Sequence, residues 1–289
     1  MNKKIIAVAI VLVLAAALSF GQETIKGMSM NGSTGLIATP TAQIGWERSA
    51  DIGVDAGLHL VFDEGTTFIP KVAISLFKKF ELAVAYDSIG ADYYEAPKTD
   101  PYGVLVNGKF QLFNDPSSAV AIGGNFQYFD DLWGETWTGG QVYVAATYSG
   151  QFFKWPAATT MVIGKSFSSK HNNVSGAGRW NLLTNKGRLV ENGDIDFSMG
   201  FELTLLPEVF KNYVQWINDF ANYSYSLVPA GSFSQYRGAF NTGVRIDPLK
   251  GTDFKFVIDA IVADVFDHSE NDGPGRSFVC GVTFGMALK

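Results

Sequence analysis

Asp51-Ile52-Gly53-Val54-Asp55-Ala56-Gly57-Leu58-His59-Leu60-Val61-Phe62 is the stretch on which the fold turns. Taken alternately, Ile52, Val54, Ala56, Leu58, Leu60 and Phe62 form an apolar set; Asp51, Gly53, Asp55, Gly57 and His59 form a polar or small one. A strand sends successive side chains to opposite faces, so this pattern predicts one apolar wall and one wet wall. Helical spacing would mix the two sets. The split recurs at residues 194–205, where Ile195, Phe197, Met199, Phe201, Leu203 and Leu205 oppose Asp194, Asp196, Ser198, Gly200, Glu202 and Thr204. It returns near the C-terminus, with Phe278, Cys280, Val282, Phe284, Met286 and Leu288 against small residues. Shorter versions oppose Phe80, Leu82, Val84 and Tyr86 to Glu81 and Asp87, and Phe254, Phe256, Ile258 and Val262 to Lys255 and Asp259.

Extended along the chain, the alternation predicts strands at 50–62, 68–77, 80–88, 102–113, 118–130, 138–150, 157–168, 194–206, 217–228, 237–248, 252–264 and 276–288. Most have about the ten residues that a tilted strand needs to cross a bilayer. Short connections (78–79, 114–117, 150–156, 249–251) alternate with longer polar ones (89–101, 131–137, 169–193, 229–236, 265–275). Short inner turns and longer outer loops belong to a transmembrane antiparallel up-and-down β-barrel, all-β, of about twelve strands. Aromatics gather at the strand ends as two interfacial girdles: Phe77, Phe80, Phe113, Phe152, Phe153 and Trp155 inside; Phe62, Phe68, Tyr86, Tyr128, Trp133 and Trp137 outside. Lys165 falls on an apolar face and must snorkel.

The rest of the sequence agrees with an exported membrane protein. Lys3 and Lys4 precede an apolar run from Ile5 to Leu18, and Ser19-Phe20-Gly21 offers a small-x-small cleavage site. That layout predicts a secretory signal peptide over 1–21, a Gly-rich segment over 22–49 and a barrel over 50–289. Hydrophobic residues make up 47% of the chain, yet beyond residue 18 no apolar run reaches the ~18 residues of a membrane helix. Cleavage at Gly21 removes Lys3 and Lys4, leaving 20 basic and 28 acidic residues, which argues against nucleic acid as a partner. Cys280 is the only cysteine, so no intramolecular disulfide can form, and no Cys/His spacing suggests zinc or another cofactor. The expected location is a Gram-negative-type outer membrane, with outer-membrane lipid and, during biogenesis, the barrel-assembly machinery as partners.

Two segments depart from the alternation. Over 207–219, Val209, Phe210, Tyr213, Trp216, Ile217 and Phe220 repeat at helical spacing behind Pro207, which predicts a short amphipathic periplasmic helix. Ahead of the first regular strand stands Asn31-Gly32-Ser33-Thr34-Gly35-Leu36-Ile37-Ala38-Thr39-Pro40-Thr41-Ala42. Its Gly-x-Thr-Gly-Leu-Ile-x-x-Pro-Thr-Ala core resembles the exopolysaccharide-associated outer-membrane barrel group (YjbH-like). The match covers Gly32 to Ala42, and the chain shows no second barrel or extra periplasmic domain. The resemblance implies an outer-membrane barrel and, further off, a part in surface polysaccharide export. On its own residues the segment is a plug tucked into the lumen, a strand pairing at the inner rim, or a leader without fixed structure.

No catalytic group stands out. His59 shares its face with Asp55 and Gly57 rather than with a serine, His171 and His268 fall in predicted outer loops, and no Gly-x-Ser-x-Gly occurs. A lipid-modifying enzyme is therefore the weakest reading, behind a structural or adhesive surface protein. The polar faces are instead ionic: Asp51, Asp55, His59, Lys71, Glu81, Asp87, Lys109, Asp194, Asp196, Glu202, Arg237, Arg245, Asp247, Lys255 and Asp259 are expected to face the lumen, because charge is costly against lipid. Lys170, Arg179, Lys186 and Arg188 could make the 169–193 loop an anion-binding site. The composite expectation is a narrow pore for small solutes, or an accessory to polysaccharide export.

Overall fold

The computed structural model describes residues 24–62, 66–88, 102–132, 135–171, 195–223, 225, 239–266 and 276–288. The expected signal peptide lies outside them. A two-stranded ribbon, β1 (Gly27–Met28) with β2 (Thr34–Gly35), precedes twelve antiparallel strands that close on themselves. They are β3 (Ile52–Phe62), β4 (Thr66–Leu76), β5 (Phe80–Ser88), β6 (Tyr102–Asn114), β7 (Ser118–Leu132), β8 (Glu135–Phe152), β9 (Trp155–His171), β10 (Asp196–Thr204), β11 (Val214–Ala221), β12 (Ala239–Ile246), β13 (Phe254–Ala263) and β14 (Ser277–Leu288). Each pairs with its sequence neighbours, and β14 pairs with β3 to seal the barrel, so no open edge is left.

Period two sets the orientation. Leu82, Val84, Val106, Ile122, Phe126, Ile163, Val282 and Phe284 are exposed on the outer wall. Their neighbours Glu81, Ala83, Ala85, Leu105, Ala121, Val162 and Thr283 are buried inside. A broad apolar surface on a closed barrel is what lipid requires, since strand-to-strand pairing satisfies the backbone within the wall. The chain is a membrane-spanning barrel of the outer-membrane type. Two turns at one end, Phe77-Lys78 and Phe153-Lys154, have both central residues at positive φ, the type I′ geometry that matches strand twist.

The expected helix over 207–219 forms only at its start. Only α1 (Pro207–Phe210) is helical, flanked by Leu206 and Lys211 in left-handed conformations, and residues 214–221 are strand. Gln215, Ile217, Asp219 and Ala221 point inward while Trp216 and Phe220 point out. The helical spacing arose because the inward face is apolar at Ile217, which hides the alternation. Val209 and Phe210 are simply exposed turn residues at the membrane surface.

Candidate functional site: the filled lumen

Residues 24–46 are all buried, and they lie among the inward-facing side chains of the barrel. The chain doubles back at β1–β2, with Gly32 at φ 87° in the connection. Gly35 is packed so closely against residues 39 and 40 that an added Cβ would stand 2.6 Å from the Thr39 carbonyl oxygen. The fold of this segment is therefore written in its own glycines and Pro40.

Charged wall residues hold its backbone. The Asp219 carboxylate accepts from three successive amides, Ile37 (3.0 Å), Ala38 (2.7 Å) and Thr39 (2.9 Å), and from the Asn241 amide (2.7 Å). Such a run of N–H groups is an anion nest, here supplied by the inserted segment to the wall. Arg245 donates to both oxygens of Asp259 (2.8 and 3.1 Å) and to the Gly35 carbonyl (2.9 Å). Lys109 donates to the Thr34 and Thr41 carbonyls (3.0 and 3.1 Å) and pairs with Glu81 (3.1 Å), which accepts from the Thr34 amide (2.7 Å). Lys71 donates to the Ser29 carbonyl and to Nδ1 of His59 (both 2.8 Å), whose Nε2 faces Asp259 at 3.7 Å. Nearer the short turns, Lys255 pairs with Asp55 (3.0 Å) over the Trp46 ring, and Trp46 Nε1 donates to the same carboxylate (3.2 Å). Lys26 pairs with Glu47 (3.0 Å), which accepts from Gln111 (2.6 Å).

Side chains of the segment also fit sockets in the wall. A Cβ at Gly200 would fall 1.9 Å from Leu36, and one at Gly53 would fall 2.2 Å from Trp46. Toward the loop end, Met30, Leu36 and Ile37 join Val61, Ile69, Leu105, Ile217, Ile261 and Val279 in one apolar cluster. The lumen is thus ionic near the short turns and through its middle, and apolar above.

Among the sequence-predicted lumen residues, Asp55, His59, Lys71, Glu81, Asp87, Lys109, Asp196, Glu202, Arg245, Asp247, Lys255 and Asp259 are buried. Asp51 is not in the lumen. It precedes β3, its side chain is exposed, and it meets the half-exposed Lys78 at 3.6 Å, because the strand begins one residue later at Ile52. Asp194 and Arg237 lie outside the described residues, as do Arg179, Lys186 and Arg188 of the outer loop, Trp133 and His268. Lys170 and His171 end β9 with their backbone only described. Asp219, hidden in the expected helix, was missed. Its signal was the alternation of Gln215 and Asp219 with Trp216 and Phe220. The sockets Gly53 and Gly200 and the seated Trp46 had no signal that one sequence could give.

No family model matches the chain, and no curated protein matches it. Among solved structures, the NanC porin is similar over 81% of this chain and 100% of its own, at 10% identity and a TM-score of 0.49. The KdgM porin is similar over 81% of this chain and 99% of its own, at 7% identity and a TM-score of 0.47. Omp33 of Acinetobacter baumannii matches over 83% and 98%, at 11% identity and a TM-score of 0.41. At such identities these are likenesses of architecture and say nothing of solute or partner.

Proposed function

We propose that this protein is an outer-membrane channel held shut by its own N-terminal segment, passing small polar solutes only when residues 24–47 leave the lumen. The observation that carries this reading is the pairing of ionic wall groups with the segment's backbone. Lys71, Lys109, Arg245 and Asp219 hold carbonyls and amides that belong to the insert, not to the wall. A barrel built only as a scaffold could fill its interior with apolar side chains at less cost, since buried charge demands partners. Charges that meet either the insert or water suit a lumen with two conditions, closed and hydrated. A width of about twelve strands leaves room for a narrow water path once the insert is gone.

A second reading, an accessory to surface-polysaccharide export, is supported by the likeness of Gly32 to Ala42 to exopolysaccharide-associated barrels. Those same residues include the ones that Asp219, Arg245 and Lys109 hold. Planar-bilayer recordings separate the two. The intact mature protein should conduct poorly, and a version lacking residues 24–45 should show discrete, larger openings. A deletion that folds and inserts but does not conduct defeats the channel reading and leaves the accessory role.

A further inference from the structure

The outer wall carries a furrow that its hydrophobic lining alone does not explain. Across β5 to β9, one row of outward positions reads Leu82, Gly108, Gly124, Val142, Lys165. The row on its short-turn side reads Phe80, Phe110, Ile122, Val144, Ile163. Two adjacent glycines thus interrupt a bulky surface, and beside Gly108 a groove of about 730 Å³ opens, lined by Phe80, Phe110, Ile122, Val142 and Ile163 among others and reaching Lys165. At Gly108 the bare backbone is not needed for packing, since an added Cβ would meet nothing closer than Leu82 at 3.5 Å.

The furrow also runs diagonally. Leu82 is the third residue of β5 from the short-turn end, whereas Lys165 is the eleventh of β9. Ten residues at a rise of ~3.3 Å, tilted by ~40°, put Lys165 about 25 Å above the short turns, level with the far polar interface. The upper end of an apolar trench therefore holds a cation at headgroup depth. Apart from Asp130 at the loop end of β7, Lys165 is the one Asp, Glu, Lys or Arg on the outward face of the described strands. It makes no ion pair or hydrogen bond with another described residue.

We infer that this furrow seats an acyl chain of an anionic, phosphate-bearing membrane lipid, with the headgroup against Lys165. The trench supplies shape for a chain running from interface to midplane and beyond. Lys165, without a partner among the described residues, supplies preference for net negative charge over a zwitterion, whose own ammonium would lie beside it. A second copy of the barrel is the other occupant of an apolar wall, but a trench with a charge at one end fits a chain and headgroup better than a convex neighbouring barrel.

Native mass spectrometry of the full mature barrel in detergent tests this. Phosphatidylglycerol and phosphatidylcholine with identical chains are added separately, with inorganic phosphate as a third arm. The wild type should retain one phosphatidylglycerol, at about fivefold over phosphatidylcholine. Lys165→Ala should bring that ratio to about one, and Gly108→Leu, which fills the trench, should reduce retention of both lipids. Equal retention of the two lipids by the wild type overturns the proposal without recourse to any variant. So does undiminished retention by a folded Gly108→Leu protein. Binding of inorganic phosphate in place of lipid would reduce the site to a phosphate contact, and a lipid-free dimer would assign the wall to a second copy; either outcome refutes the acyl seat.

Discussion

The two faces of one wall obey different rules. Outside, Leu82, Val84, Val282 and Phe284 need only be apolar, because lipid adapts to any such shape. Inside, key positions are matched to particular atoms of residues 24–47: Asp219 to three amides, Arg245 to a carbonyl, Gly200 to Leu36. One surface is specified by composition and the other by complementarity. Substitutions should therefore sort by face, and by whether they change polarity or shape.

Arg245→Met should cost the most, about 3–5 kcal/mol, because it strands Asp259 and the Gly35 carbonyl in a dry interior. Urea unfolding from vesicles measures it; a loss below about 1 kcal/mol would mean that water already reaches the pair. On the outer face, Val282→Arg in mid-strand should cost about 2–4 kcal/mol, while Val282→Leu should be neutral. A large penalty for the leucine would erase the distinction between the faces. The sharpest contrast uses one residue type. Gly200→Ala, inward against Leu36, should cost about 1–3 kcal/mol, and Gly108→Ala, outward, should stay within about 0.5 kcal/mol.

The smallest effect belongs to neither face. In the turn between β6 and β7, Asp115 accepts from the Ser117 and Ser118 amides, and these bonds hold its carboxyl below the usual carboxylate value. A depressed folded value stabilises above the unfolded pKa and is lost as pH falls through the folded one. Asp115→Ala should thus lower the urea midpoint slightly at pH 7, and the difference should vanish as pH falls through the depressed folded value of Asp115. A deficit that persists in acid would assign the effect to packing instead.

This difference between faces also decides what one sequence can tell. All twelve strands could be read from it, since lipid demands an unbroken apolar row and that row survives in nearly every strand. Where the inward face turned apolar, at Ile217, the alternation faded, residues 207–219 read as helix, and the strand was placed at 217–228 although it begins at Val214. The ionic residues could be placed inward as a class because charge is excluded from lipid. Their partners could not, because Lys109 meeting Thr34 and Thr41 depends on how a distant segment folds back. The Gly32 to Ala42 segment was conspicuous in the sequence, but its contacts became visible only in three dimensions.

Residues 24–47 lie inside the barrel, and a tether reports this directly. The Ala42 amide donates to the Thr147 hydroxyl at 2.9 Å, which places the segment against the inner face of β8. In a Cys280→Ser background, Ala42→Cys with Thr147→Cys should yield an intramolecular disulfide in the folded membrane protein, seen by mass spectrometry as one cross-linked peptide. In protein kept reduced, both cysteines should resist an impermeant thiol reagent until the barrel is unfolded. Two free cysteines that label readily in the native barrel would put the segment outside the lumen and contradict the account.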